Sequence, residues 1–268
     1  MPVIPGNAQH RGKREQQQDS FGFSDIEDTN FVKHGGVLAV LADGMGGISY
    51  GKDAGKLAVK TILNSYSGKN VADSVHQSLY RAVIEANENI YNLSEQMNIP
   101  GNIGTTLIAV VIWSNQLYWI SVGDSRIYLL RNNQLTQLTT DHIYKRKLLR
   151  DVADDKITKT EADNHPERNS LTSYLGLPEV TEIDQNVKPL LLCNKDRVVL
   201  CSDGLYRSLT VDDITNTYNE SPQLTAEMLV ELTLQRNLSN QDNASVVIME
   251  YLDKKPSILK RIPKWFGF

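Results

Sequence analysis

Apolar residues along the chain recur with two periods, which divide it into strand-forming and helix-forming stretches. Runs rich in β-branched residues occupy Val37 to Ala42, Thr105 to Trp113, Leu117 to Val122, Ile127 to Leu130, Arg197 to Cys201 and Ser245 to Tyr251. These predict strands. Between the first two runs, Ala54, Leu57, Ala58, Thr61 and Ile62 step by three and four, and Val71, Val75, Leu79, Val83, Ala86, Ile90 and Met97 continue the pattern. Two consecutive helices are expected there, and a third over Thr225 to Arg236. Strands, two helices, several strands in succession, a helix and a last strand suit an α+β fold better than a regular βαβ series. Residues Asp141 to Asn169 stand apart, crowded with charge and carrying a capping-box signal at Thr158 to Glu161, and read as a surface insertion.

Composition narrows the class. With 268 residues, 40% hydrophobic and 22% charged, the chain has the balance of a soluble globular protein with one domain or two small ones. Lys plus Arg total 28 against 32 Asp plus Glu, a net charge of -4, so no basic surplus exists to hold a nucleic-acid backbone. The longest apolar stretches, such as Leu107 to Trp113, reach about a third of the ~20 residues a membrane helix needs. The first residues lack a signal peptide's apolar core, so no transmembrane segment and a cytoplasmic location are expected.

Lys254, Lys255, Lys260, Arg261 and Lys264 lie in an acid-free end segment, where Ile258, Leu259, Ile262, Trp265 and Phe266 recur opposite them. This pattern divides the chain into a domain over 1–253 and a basic-aromatic tail over 254–268, suited to an anionic membrane surface or an acidic partner. Pro256 and Pro263 oppose a long helix there, and a packed or frayed terminus is the plainer alternative. Cys193 and Cys201 flank an apparent hairpin centred near Asn194-Lys195-Asp196, in positions unsuited to a disulfide. The five histidines form no metal-ligand spacing, and zinc has no support.

Candidate chemistry lies in a recurrence. Asp43 follows V-L-A-V-L-A, Asp124 follows W-I-S-V-G, Asp203 follows V-V-L-C-S, and Asp242 precedes the last strand. Three of them stand in small-residue contexts, D-G-M-G-G, G-D-S-R and S-D-G-L, where glycine lets backbone approach a ligand closely. A single D-G is ordinary turn chemistry. Four carboxylates brought together would repel one another unless compensated, and hard divalent cations such as Mg²⁺ or Mn²⁺ are the usual compensation for an all-oxygen set.

These residues stand in an order that resembles the metal-dependent serine/threonine protein phosphatases of type 2C, the PPM family, in its bacterial D-G-M-G-G form. The resemblance runs through G-K-R-E-Q-Q-Q-D (Gly12 to Asp19), L-A-D-G-M-G-G (Leu41 to Gly47), G-T-T (Gly104 to Thr106) and V-G-D-S-R-I-Y-L-L-R (Val122 to Arg131). It continues through Q-L-T-T-D-H (Gln137 to His142), L-T-S-Y-L-G (Leu171 to Gly176), D-R-V-V-L-C-S-D-G-L (Asp196 to Leu205) and D-N-A-S-V-V (Asp242 to Val247).

The resemblance implies a four-layer α-β-β-α sandwich, two antiparallel sheets flanked by helix pairs, with a two-metal site at one end. It implies Mn²⁺ or Mg²⁺, with Asp43 bridging both ions, Gly44 ligating one through its carbonyl, and Asp203 and Asp242 completing the pair. Asp19 would act through metal-bound water, Asp124 would support a third, weaker ion, and Arg14 would grip the substrate phosphate. In such a site a water held between the two metals would attack phosphorus in line, and no phosphoenzyme would be needed. Phosphorylated proteins, with a Hanks-type serine/threonine kinase and its targets, would be the partners.

Two departures stand out. Met45 occupies the place of a histidine proposed to protonate the leaving alkoxide in animal relatives, and Gln18 the place of a frequent glutamate. The insertion matches the family's flap; its mixed charges suit phosphopeptide selection or a plain solvated surface, and His142 and His165 beside it are minor candidates as acids. Two other readings compete. Gly46 to Lys52 satisfies G-x-x-x-x-G-K after a strand and before a helix, but Asp53 stands where a nucleotide P-loop needs Ser or Thr. A catalytically silent phosphatase-fold module that binds phosphoproteins is the other alternative; all four principal acids are retained, which favours turnover.

Overall fold

The computed structural model describes residues 3–45 and 47–253, so the expected tail over 254–268 lies outside the described residues. The chain opens with β1 (Val3–His10), β2 (Asp19–Phe23), α1 (Thr29–Gly35) and β3 (Val37–Met45), followed by the long helices α2 (Gly47–Ser67) and α3 (Val75–Gln96). Next come β4 (Gly104–Thr105), β5 (Leu107–Trp113), β6 (Gln116–Val122), β7 (Arg126–Arg131) and β8 (Gln134–Gln137). The charged insertion folds as α4 (Lys145–Ala153) and α5 (Lys159–Asp163), the latter opened by the Thr158–Glu161 capping box. The chain then forms β9 (Asp184–Gln185), β10 (Leu190–Leu191), β11 (Arg197–Cys201), α6 (Asp203–Tyr206), α7 (Val211–Asn216), α8 (Pro222–Gln235) and β12 (Ala244–Tyr251).

Two sheets result, and every strand pair in them is antiparallel. One has the order β1-β12-β11-β7-β8, and the other β10-β6-β5-β3-β2 with β4 and β9 at its margins. Strand alternation explains the layering. Leu38, Val40 and Ala42 of β3 and Leu107, Ala109 and Val111 of β5 pack against α2 and α3 with Ala58, Ile62, Leu79 and Ile90. Their neighbours Val37, Ala39, Leu41, Ile108 and Val110 meet Val198, Leu200, Val247 and Met249 of the facing sheet. The outer faces of β11 and β12, Val199, Cys201, Val246 and Ile248, pack on Leu205, Ile214, Ala226 and Leu229.

Three cores therefore separate four layers, α-β-β-α, as expected. The central strands are buried on both faces, which is why they read as continuous apolar runs rather than as alternation. One outer layer is the α2–α3 pair; the other is α8 with only the short α6 and α7 beside it. Each fully buried Leu or Ile in these cores contributes about 1.5–3 kcal/mol. Antiparallel pairing throughout also removes the parallel-sheet setting of the P-loop reading, and residues 47–52 form the first turns of α2.

The hairpin expected at Asn194 is not one. β10 pairs with β6 in one sheet, while β11 pairs with β12 and β7 in the other, so Asn194-Lys195-Asp196 carries the chain between sheets. Lys195 turns the chain at φ 70, and the Asp196 carboxylate accepts from the Cys193 amide. Cys193 is exposed, Cys201 is buried, and both are free thiols. Among the described residues no helix is long and apolar enough to cross a membrane.

Candidate active site

At one end of the sandwich, strand ends from both sheets converge. Asp43 lies near the end of β3, opposite Asp19 at the start of β2. Asp203 follows β11 and opens α6, Asp242 precedes β12, and Asp124 stands in the turn from β6 to β7. A cleft of about 580 Å³ opens there, lined among others by Arg14, Asp43, Gly44, Asp124, Asp203 and Asp242. Asp19 does not line it; it is 4% exposed and sits behind Asp43.

The positions are held by a frame of small contacts. The Asp43 amide donates to Thr106 Oγ1 at 3.1 Å, and the Asp43 carbonyl accepts from the Thr105 hydroxyl and the Thr106 amide, both at 2.9 Å. Gly44 is required by close approach, since a Cβ there would fall 2.0 Å from the Gly51 carbonyl oxygen of α2; one at Gly204 would fall 2.0 Å from the Asn243 carbonyl oxygen. Asn243 pins the loop that carries Arg14: it donates to the Arg11 and Gln16 carbonyls at 2.8 and 3.1 Å and accepts from the Gln18 amide at 2.7 Å.

Charge is concentrated and only partly compensated. Burial, followed by repulsion from Asp19 and Asp203, holds the Asp43 carboxyl well above the ordinary carboxylate range. Burial likewise raises Asp19 and Asp203 from 3.8 to about 6, and raises Asp124 despite the neighbouring Arg207. Ser202 donates to Asp19 Oδ2 at 2.8 Å, whereas Asp19 Oδ1 is buried with no hydrogen-bond partner. Arg14 Nη2 lies 2.6 Å from Asp242 Oδ2, and Arg207 Nη2 lies 3.1 Å from Oδ2 of both Asp124 and Asp203.

Among the described residues no group of three or more His, Cys, Asp or Glu is drawn into a ready cation cage. Arg14 and Arg207 instead take up carboxylate oxygens at the cleft. The donor set nevertheless fits hard divalent ions: it is oxygen throughout, its acids repel one another, and one buried carboxylate oxygen has no partner.

Several residues that motif reading did not single out have clear places here. Arg207 compensates two acids, Asn243 clamps the Arg14 loop, and Thr106 and Ser202 orient Asp43 and Asp19. Thr106 and Asn243 stood inside the quoted G-T-T and D-N-A-S-V-V motifs; Arg207 carried no signal beyond its closeness to S-D-G-L. His142 is not an acid of this cleft. It is 2% exposed, its Nδ1 accepts from the Gly123 amide at 3.1 Å, and burial lowers its pKa, so it clasps the turn before Asp124 as a neutral ring. His165 packs on Tyr144 with ring centroids 5.2 Å apart, away from the cleft. Met45 and Gln18 both line it, and the flap contributes Asn169.

Fold and site together define a class: a metal-dependent phosphatase acting on phosphoproteins. The profile of the family described as protein phosphatase 2C matches residues 7–244. The chain is 31% identical over 245 residues to a serine/threonine phosphatase stp of Listeria welshimeri, covering 90% of this chain and 92% of that protein. The serine/threonine phosphatase of S. agalactiae superposes with a TM-score of 0.80 at 26% identity, over 94% of this chain and 100% of that one. The catalytic domain of the phosphatase PstP, solved in complex with two manganese ions, superposes with a TM-score of 0.73 at 29% identity, over 94% and 99%. The chain belongs to the protein phosphatase 2C family.

Proposed function

We propose that this protein hydrolyses phosphoserine and phosphothreonine in cytoplasmic protein substrates by in-line attack of water on phosphorus, without a phosphoenzyme. The observation that carries this reading is the convergence of Asp43, Asp203 and Asp242 with Arg14 on one cleft at the sandwich end. Asp43, the Gly44 carbonyl, Asp203 and Asp242 would hold two Mn²⁺ or Mg²⁺ ions, as the PstP relative holds two manganese ions, with a third, weaker ion at Asp124. When bound, such ions neutralise the phosphate dianion and bring the deprotonation of water close to neutral pH. Asp19, behind Asp43, adds a further negative charge to the set that draws such ions in.

Arg14 stands at the cleft with its side chain 59% exposed, and its planar fork offers two parallel N–H donors to phosphate oxygens. Neither cysteine competes as nucleophile: burial pushes the Cys201 thiol up to about 12, and Cys193 does not line the cleft. With Met45 at the cleft and His142 buried and neutral, the leaving alkoxide takes its proton from water. Residues 1–253 form the catalytic domain in this reading, 254–268 a separate basic tail, and the opposing enzyme is a Hanks-type serine/threonine kinase.

The test is phosphate release from a phosphothreonine peptide by the purified protein, with Mn²⁺ supplied and then chelated. Turnover lost on chelation and restored by Mn²⁺ is expected; turnover indifferent to chelation would exclude the reading. Asp203→Ala should lose Mn²⁺ binding and turnover together.

A further inference from the structure

A second cleft of about 480 Å³ adjoins the first, between the flap and the β7–β8 hairpin, and shares Arg207 and Asn169 with it. Four cations, Arg126, Lys145, Arg146 and Arg207, line it against one acid, Asp141. Not all of that charge is open to a ligand. Arg126 is locked on Asp141 by paired hydrogen bonds of 3.0 and 2.7 Å and lies 3.7 Å over the Tyr206 ring, while Arg146 is paired with Glu182.

Lys145 differs. Its backbone is fixed, the amide donating to the Arg168 carbonyl at 2.8 Å, yet among the described residues its ammonium makes no ion pair. Arg207 is divided between Asp124 and Asp203, the acids assigned to cations above, and cations held by those acids would release its guanidinium for another anion. Ile143 and the half-exposed Leu149 supply an apolar wall for a peptide stem. A lysine without an acid partner, preset locked arginines and continuity with the reaction cleft form a place for an anionic side chain next to the residue being dephosphorylated.

We propose that this second cleft is a substrate subsite for a carboxylate or phosphoryl group borne by the peptide beside the scissile phosphoresidue. The proposal rests on the phosphatase reading and adds the class of substrate. Lys145 is its specificity residue.

The test compares kcat/KM for three phosphothreonine peptides, one with neutral flanks, one with glutamates on both sides, and one with a non-hydrolysable phosphonate nearby. Wild type should favour the anionic peptides about tenfold, Lys145→Ala about threefold, and Lys145→Glu not at all, with the preference shrinking as salt is added. Hydrolysis of a small aryl phosphate should be equal in all three proteins. A larger gain from phosphonate than from glutamate would identify a second phosphoresidue as the ligand, and the reverse an acidic side chain. Equal kcat/KM for neutral and anionic peptides in wild type, or a preference that survives Lys145→Glu, would overturn the subsite while leaving the phosphatase reading intact. Absent aryl phosphate hydrolysis with Mn²⁺ present would overturn that reading, and the subsite with it.

Discussion

Replacing Asp19 by asparagine should make the metal-free protein more stable while impairing its function. Burial raises the Asp19 carboxyl from 3.8 to about 6, and burial with repulsion from Asp19 and Asp203 also holds the nearby Asp43 carboxyl well above the ordinary carboxylate range. A group whose folded-state pKa is raised contributes stability that is fully present below about 3.8 and is lost as pH climbs through about 6. At about 1.4 kcal/mol per tenfold change in proton affinity, keeping Asp19 ionised at pH 7.5 costs about 3 kcal/mol. After Asp19→Asn the side-chain oxygen could still accept from Ser202, and the new amide N–H would occupy the place of the unpartnered Oδ1. Most of the cost should therefore be recovered, about 2 kcal/mol, or about 4–8 °C in melting temperature for a domain of this size. The assay is urea or thermal unfolding of chelated protein across pH 4.5 to 7.5. Wild type should lose stability over that window; the variant should lose less by the share of Asp19, since Asp43, Asp124 and Asp203 still titrate there, and the two should converge near pH 4.5. Saturating Mn²⁺ should reverse the ranking at pH 7.5, because an ion that binds only the folded state stabilises in proportion to its affinity. A flat pH profile for metal-free wild type, or a variant less stable than wild type at pH 7.5, would refute the reasoning.

Other consequences follow from the same geometry. Arg14→Ala should raise KM for an aryl phosphate about 10- to 100-fold while leaving Mn²⁺ binding in place, which kinetics and calorimetry together would show. Arg207→Gln should tighten apparent Mn²⁺ affinity several-fold, because Asp124 and Asp203 lose a competing cation 3.1 Å away; a titration showing weaker binding would contradict that competition. Asn243→Ala removes three hydrogen bonds that clamp the loop from Arg11 to Gln18. A loss of about 1–3 kcal/mol is expected in denaturant unfolding, together with faster amide exchange in that loop.

What the sequence disclosed depended on whether a residue's meaning was local. The strands β3, β5 and β12 were readable because burial on both faces makes them apolar throughout. β1 was not: V-I-P-G-N-A-Q-H is an edge strand whose only partner among the described residues is β12, so it tolerates Pro5 and needs only one apolar face. β2 and β8 are short and partly exposed, with too few apolar positions to set a period. The false hairpin at Asn194 arose because an apolar run on each side of a turn looks the same whether the runs pair with each other or with strands of different sheets.

The acids of the site were legible for a similar reason. Each sits in its own strand-end context, and four such contexts point to one place. Their supports were not, since a serine or an asparagine acquires its role only from a partner far along the chain. Ser202 reaches Asp19 across 183 positions, and Asn243 reaches Arg11 across 232. Arg207 shows the limit most directly. Its i,i+4 spacing from Asp203 was visible, but the contact that matters is with Asp124 on another turn, brought within 3.1 Å only when β7 pairs with β11. A motif can therefore specify which groups must be charged, whereas the cations that hold those charges before metal arrives are set by sheet register, and register is a property of the whole fold.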